Sequence, residues 1–128
     1  MGILSDKGCD PKSLSPLTLA FVGDGVYDLI VREDIVCDAN RPVKELNLIK
    51  VDRVRCQAQA ELMTKIEPLL CEEEFDIYRR GRNAHTSHTP KSATNAEYHT
   101  ATGFEALCGY LYLCGRIDRL RELIFNKP

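Results

Sequence analysis

The sequence predicts an all-α fold, and three observations carry that expectation. Apolar residues recur at three- and four-residue intervals along most of the chain. No run of β-branched or aromatic residues alternates with polar ones over more than a few positions. Prolines and polar caps stand where helices would start or stop, as at Ser15-Pro16, Pro42 and Pro68. The chain has 128 residues, enough for one core and too few for two. A hydrophobic share of 44% and a charged share of 28% are globular values, so the reading is residues 1–13 as a flexible N-terminal segment and 14–128 as a single domain.

The elements follow in order. Ser15 is a good N-cap with Pro16 in the first turn, and apolar residues continue to about Val36, giving one long helix. After a loop near Cys37 to Arg41, Pro42 opens VKELNLIKVDRVRCQAQAELMTKI, where Leu46, Ile49, Val54, Ala58 and Leu62 mark an amphipathic face on one helix or two. Pro68 ends it. CEEEFDIYRRG places acids first and arginines last, as the helix dipole favours, with Gly81 expected as a left-handed cap. RNAHTSHTPKSATNAEYHT lacks apolar periodicity and is expected to be a long polar loop. ATGFEALCGYLYLCG is apolar on nearly every side and reads as the central helix, followed by a short terminal helix over 116–126.

Several classes are disfavoured. The longest apolar stretches are broken by Asp24, Asp28 or Glu105, so no membrane span is expected. MGILSDKGCD lacks the basic start and apolar core of a secretory signal, which points to a cytoplasmic protein. Six cysteines without close pairing are read as reduced and mostly buried thiols rather than a disulfide scaffold or a zinc site. A net charge of −2 gives no general attraction to polyanions, yet from Arg79 to Ala96 there are Arg79, Arg80, Arg82 and Lys91, two histidines and no carboxylate.

Two acids stand in apolar helices, Asp24 between Gly23 and Gly25 and Glu105 in the central helix. If the helices pack together the carboxylates meet, and two close carboxylates share a proton unless a cation lies between them. Oxygen-only ligation suits Mg²⁺ or Mn²⁺. The glycines would then admit a backbone or a substrate phosphate; the competing reading pairs Asp24 with a buried arginine and makes the glycines packing points. Asp28 is assigned to a salt bridge with Arg32 one turn on, and Tyr27, Tyr110 and Tyr112 to core or interface.

LAFVGDGVYDLIVR resembles the signature helix of ribonuclease III catalytic domains, and RRGRNA and FEALCGYLYL resemble two further segments of that family. Their order and spacing over about residues 14–125 are similar to the short members called Mini-ribonuclease III, which lack a double-stranded-RNA-binding domain. The resemblance implies a homodimeric helical endonuclease that cuts double-stranded RNA with Mg²⁺, for which Mn²⁺ can substitute, and that trims precursor large-subunit ribosomal RNA. It matches the catalytic and metal-binding acids to Asp24 and Glu105. Larger relatives carry further acids four residues before the aspartate and three before the glutamate, where this chain has Ala20 and Thr102.

With an acidic chain and no accessory domain, dependence on RNA shape or on a helper, such as a ribosomal protein, is expected. Arg80, Arg82, Asn83, His88 and Lys91 are the candidate phosphate and 2′-OH contacts. The alternative is a catalytically inactive RNA- or ribosome-binding protein of the same fold. A purely structural dimer with paired buried acids leaves the polar segment unexplained.

Overall fold

The computed structural model describes residues 1–84 and 94–126. It contains α1 (Pro16–Asp38), α2 (Val43–Val54), α3 (Cys56–Ile66), α4 (Glu72–Arg82), α5 (Asn95–Leu113) and α6 (Ile117–Phe125). Short 3-10 turns cover Pro11–Ser13 and Glu67–Leu69. Among the described residues there is no strand, so the all-α expectation holds.

The central helix is α5, with α1, α3 and α4 packed around it. From Ala101 to Leu111 every residue of α5 is buried except Glu105, which is half-buried. Glycines let the helices close on it. A Cβ on Gly23 of α1 would lie 1.6 Å from the Glu105 carbonyl oxygen, and one on Gly109 would lie 2.0 Å from the Leu19 carbonyl oxygen. Backbone therefore meets backbone where α1 crosses α5. Leu19, Tyr27, Val31, Phe104, Leu107 and Leu111 fill the core around that crossing, with the Tyr27 ring edge-on to Phe104 at 4.9 Å between centroids.

The Ser15 side chain accepts from the Thr18 N–H with Pro16 in the first turn, the cap expected for α1. The long amphipathic stretch is two helices, because Arg55 takes an extended conformation between them (φ −67°, ψ 158°). Pro68 falls in the 3-10 turn that follows α3.

Two local expectations are corrected. Gly81 is not a left-handed cap: it is a buried residue within α4, where a Cβ would lie 2.7 Å from Ala106 Cβ and 3.0 Å from Gly103 Cα. Its small size serves helix packing. The polar segment is also shorter as a loop than its composition suggests, since α5 begins at Asn95. Thr94 accepts from the Glu97 N–H while Glu97 accepts from the Thr94 N–H, a reciprocal capping box written in the sequence as TNAE. Residues 85–93 lie outside the described residues.

The cysteines are free, but only Cys108 is buried; Cys56 and Cys114 are half-buried and Cys9, Cys37 and Cys71 are exposed. Cys37, Cys56, Cys71 and Cys114 lie at helix ends, where solvent reaches them more readily than the middle of a packed helix. The tyrosines follow expectation, with Tyr27 and Tyr110 in the core and Tyr112 lining an apolar groove.

Candidate active site

The close approach of Gly23 to the Glu105 backbone brings the neighbouring acids together. The Asp24 and Glu105 side chains hydrogen-bond each other, which requires a proton between them. Burial, and then the adjacent Asp24 charge, push the Glu105 carboxyl from 4.5 up to about 8. The carboxylates meet as expected, with one correction: Asp24 is exposed, and only Glu105 is withdrawn from solvent. Gly23 occupies the buried side of α1, so the next residue emerges at the rim of the crossing.

The flanking glycines divide in role. Gly23 is a packing point, as the competing reading held, whereas a Cβ on Gly25 would meet nothing within 4 Å, and Gly25 lines the apolar groove. Asp24 forms no ion pair with an arginine among the described residues. Asp28 pairs with Arg32 at 2.6 Å, as assigned, and also with Lys50 at 3.4 Å.

A third residue, Gln59 on α3, went unnoticed in the sequence. It is 3% exposed. Its Nε2 donates to the Val54 carbonyl at 2.8 Å, satisfying the last carbonyl of α2, and its amide also hydrogen-bonds Glu105. The amide Oε1 is buried without a partner, a state that costs about 1–3 kcal/mol. The available signal was its spacing: Gln59, Met63 and Ile66 fall at i, i+4 and i+7 on the buried face of α3. Cys56, one turn earlier, borders the same site, its thiol pushed up by burial and then by the charges of Glu105 and Glu97.

Ala20 and Thr102, where larger relatives carry acids, are both buried. The Thr102 hydroxyl donates to the Tyr98 carbonyl at 3.0 Å, an ordinary back-bond within a helix. Among the described residues no group of three or more His, Cys, Asp or Glu side chains is arranged to hold a metal ion. The site consists of two carboxyl groups sharing a proton, with the buried Gln59 amide beside Glu105.

Gly81 brings the end of α4 against Thr102–Ala106, the stretch of α5 that includes Glu105. Arg80 and Asn83 are exposed there and Arg82 is half-exposed, with the Arg82 guanidinium 5.3 Å from the centroid of the Tyr78 ring. Arg79 pairs with Asp76 at 2.7 Å, while Arg80 makes no ion pair among the described residues. His88 and Lys91, the other two candidate contacts, lie outside the described residues.

Residues 17–116 match the ribonuclease III domain family. The chain belongs to the ribonuclease III family. It is 52% identical over 112 residues to Mini-ribonuclease 3 of Thermoanaerobacter sp. (strain X514), covering 88% of this chain and 79% of that one. It is 45% identical over 115 residues to Mini-ribonuclease 3 of Symbiobacterium thermophilum, covering 90% and 88%. Protein FN1578 of Fusobacterium nucleatum, solved by X-ray crystallography, superposes with a TM-score of 0.82 at 30% identity, covering 90% of this chain and 92% of that one. The family assignment makes the chain a ribonuclease of the short, Mini-ribonuclease III type. Among the described residues no helix is long and apolar enough to cross a membrane.

Proposed function

We propose that the protein is a divalent-metal-dependent endoribonuclease that hydrolyses both strands of double-stranded RNA as a homodimer, acting in the cytoplasm on the ends of precursor large-subunit ribosomal RNA. Residues 14–128 form its catalytic domain, with 1–13 as an appended segment. The observation that carries this reading is the Asp24–Glu105 carboxyl pair at the α1–α5 crossing.

The two carboxylates would hold Mg²⁺, or Mn²⁺ in its place, once their shared proton is lost. Such a cation would supply Lewis acidity toward the scissile phosphate and a more acidic water for attack. Glu105, fixed in the packed helix, sets the inner edge of the site, and exposed Asp24 sets the side that RNA reaches. Arg80, Arg82 and Asn83 offer donors for phosphate oxygens and 2′-hydroxyls, contacts that suit the shape of an A-form duplex. His88 and Lys91 are proposed to extend the same surface.

Dimerisation is supported by the apolar outer face of α1. Phe21 is 82% and Leu29 62% exposed, and a groove of about 420 Å³ lined by Val22, Val26, Leu29, Ile30 and Tyr112 runs beside them. An isologous dimer would present two identical acid pairs, one for each strand. With a net charge of −2, affinity for RNA would depend on duplex shape and on a helper such as a ribosomal protein.

The test is cleavage of a long RNA duplex, and of one strand alone, with Mg²⁺ and with excess chelator. Metal-dependent cutting of the duplex alone is expected, with Asp24→Asn abolishing it and leaving fold and dimer intact. Duplex binding without cleavage, on a structured ribosomal RNA precursor as well, would point instead to an inactive RNA-binding relative.

A further inference from the structure

We infer that Gln59 is the third oxygen donor of the divalent-cation site, contributed by α3 to the pair that α1 and α5 supply. The inference rests on the metal-dependent reading above.

The orientation of the amide is determined by its neighbours. The Val54 carbonyl only accepts, so the atom 2.8 Å from it is the Nε2 donor. The amide also hydrogen-bonds the Glu105 carboxyl, and because Oε1 has no hydrogen-bond partner that bond is made by Nε2 as well. Oε1 remains a buried acceptor with no partner. It belongs to the same planar amide that touches Glu105, so it borders the carboxyl pair.

A buried acceptor beside two carboxyl groups is poorly matched to the metal-free site, since the one proton there is shared between Asp24 and Glu105. A hard cation, or a water bound to it, satisfies all three oxygens at once. Neither position at which larger relatives carry acids offers a free side-chain oxygen: Ala20 has none, and the Thr102 hydroxyl donates to the Tyr98 carbonyl. Gln59 thus supplies an oxygen without the further negative charge that larger relatives bring at those two positions.

The test is Mn²⁺ binding to the full chain, followed by electron paramagnetic resonance and calorimetry without RNA, with circular dichroism to confirm folding. Gln59→Met keeps the length of the side chain and removes the donor, and should weaken binding by tenfold or more. Gln59→Glu should tighten binding and make the thermal midpoint rise more on adding Mn²⁺ than it does in the parent. Undiminished Mn²⁺ affinity in folded Gln59→Met overturns the inference. Should Gln59→Met fail to fold, Gln59→Glu decides, and affinity no tighter than the parent's overturns it. A parent protein that binds no Mn²⁺ overturns both this inference and the metal-dependent reading, whereas an undiminished Gln59→Met overturns the inference alone.

Discussion

Burial and the neighbouring Asp24 carboxylate hold the Glu105 carboxyl near 8 in the folded, metal-free protein, against an ordinary 4.5. The folded state therefore binds more protons than the unfolded state between those two values. Stability contributed by the neutral carboxyl is fully present below about 4.5 and is lost as pH rises through about 8. In chelator, the thermal midpoint should fall between pH 5 and pH 8.5, and Glu105→Gln should flatten that fall and melt several degrees above the parent at pH 8.5, about 4 °C for each kcal/mol in a domain of this size. Melting curves across that range check it, and an identical slope in parent and variant would remove Glu105 as the cause. Asp24 and Glu105 were legible because a carboxylate in an apolar run is conspicuous. Gln59 was not, because an uncharged amide among Gln57, Ala58 and Ala60 gives little contrast in a sequence.

At the scale of the element, the two glycines flanking Asp24 separate packing from propensity. Gly23→Ala would drive a Cβ to 1.6 Å from the Glu105 carbonyl oxygen, so α1 and α5 would have to move apart. We expect a loss of more than about 3 kcal/mol or an insoluble product, measured by denaturant unfolding. Gly25→Ala meets nothing within 4 Å and should leave the protomer's stability unchanged or raise it by up to about 1 kcal/mol, since alanine is the better helix former. The sequence marked both glycines as costly for a helix but could not tell which faced a neighbour, because that depends on the angle at which α1 meets α5.

The ion pairs of α6 were hidden in the same way. Arg119 spans from α6 to buried Glu74 at the start of α4 with two contacts of 2.8 Å, and also donates to the Leu69 carbonyl at 2.8 Å. Nothing in the spacing of residues 74 and 119 announces this. The Arg119 guanidinium holds the Glu74 carboxyl below its ordinary range, so the pair stabilises the fold above about pH 4.5 and that stability is lost as pH falls through the lower, folded value. Arg119→Ala should cost about 3 kcal/mol at pH 7 by leaving Glu74 buried and unpaired, and the deficit should shrink toward pH 3. A deficit independent of pH would place the role of Arg119 in packing alone.

On the scale of the whole molecule, α1 has two apolar sides with different duties. One buries Leu19, Gly23, Tyr27 and Val31 against the core, while the other leaves Phe21 and Leu29 in solvent beside the groove. A sequence that is apolar nearly all round gives no periodic signal to separate core from interface, so the buried helix was legible and its outer face was not. Ile3 and Leu4 of the N-terminal segment border the groove without burying either of these side chains. A second copy of the chain would cover them, and because the same α1 carries Asp24, joining the outer faces would fix the separation of two acid pairs across one duplex. Leu29→Lys places a charge at that contact twice over, once from each protomer, without touching the core. Light scattering should then report the mass of one chain, 14.4 kDa, where the parent is expected to report twice that. Its circular dichroism should match the parent, and double-strand cutting should fall by tenfold or more as the two acid pairs lose their common spacing. A variant that retains the dimer mass would move the interface away from this face of α1 and leave the groove without its assigned partner.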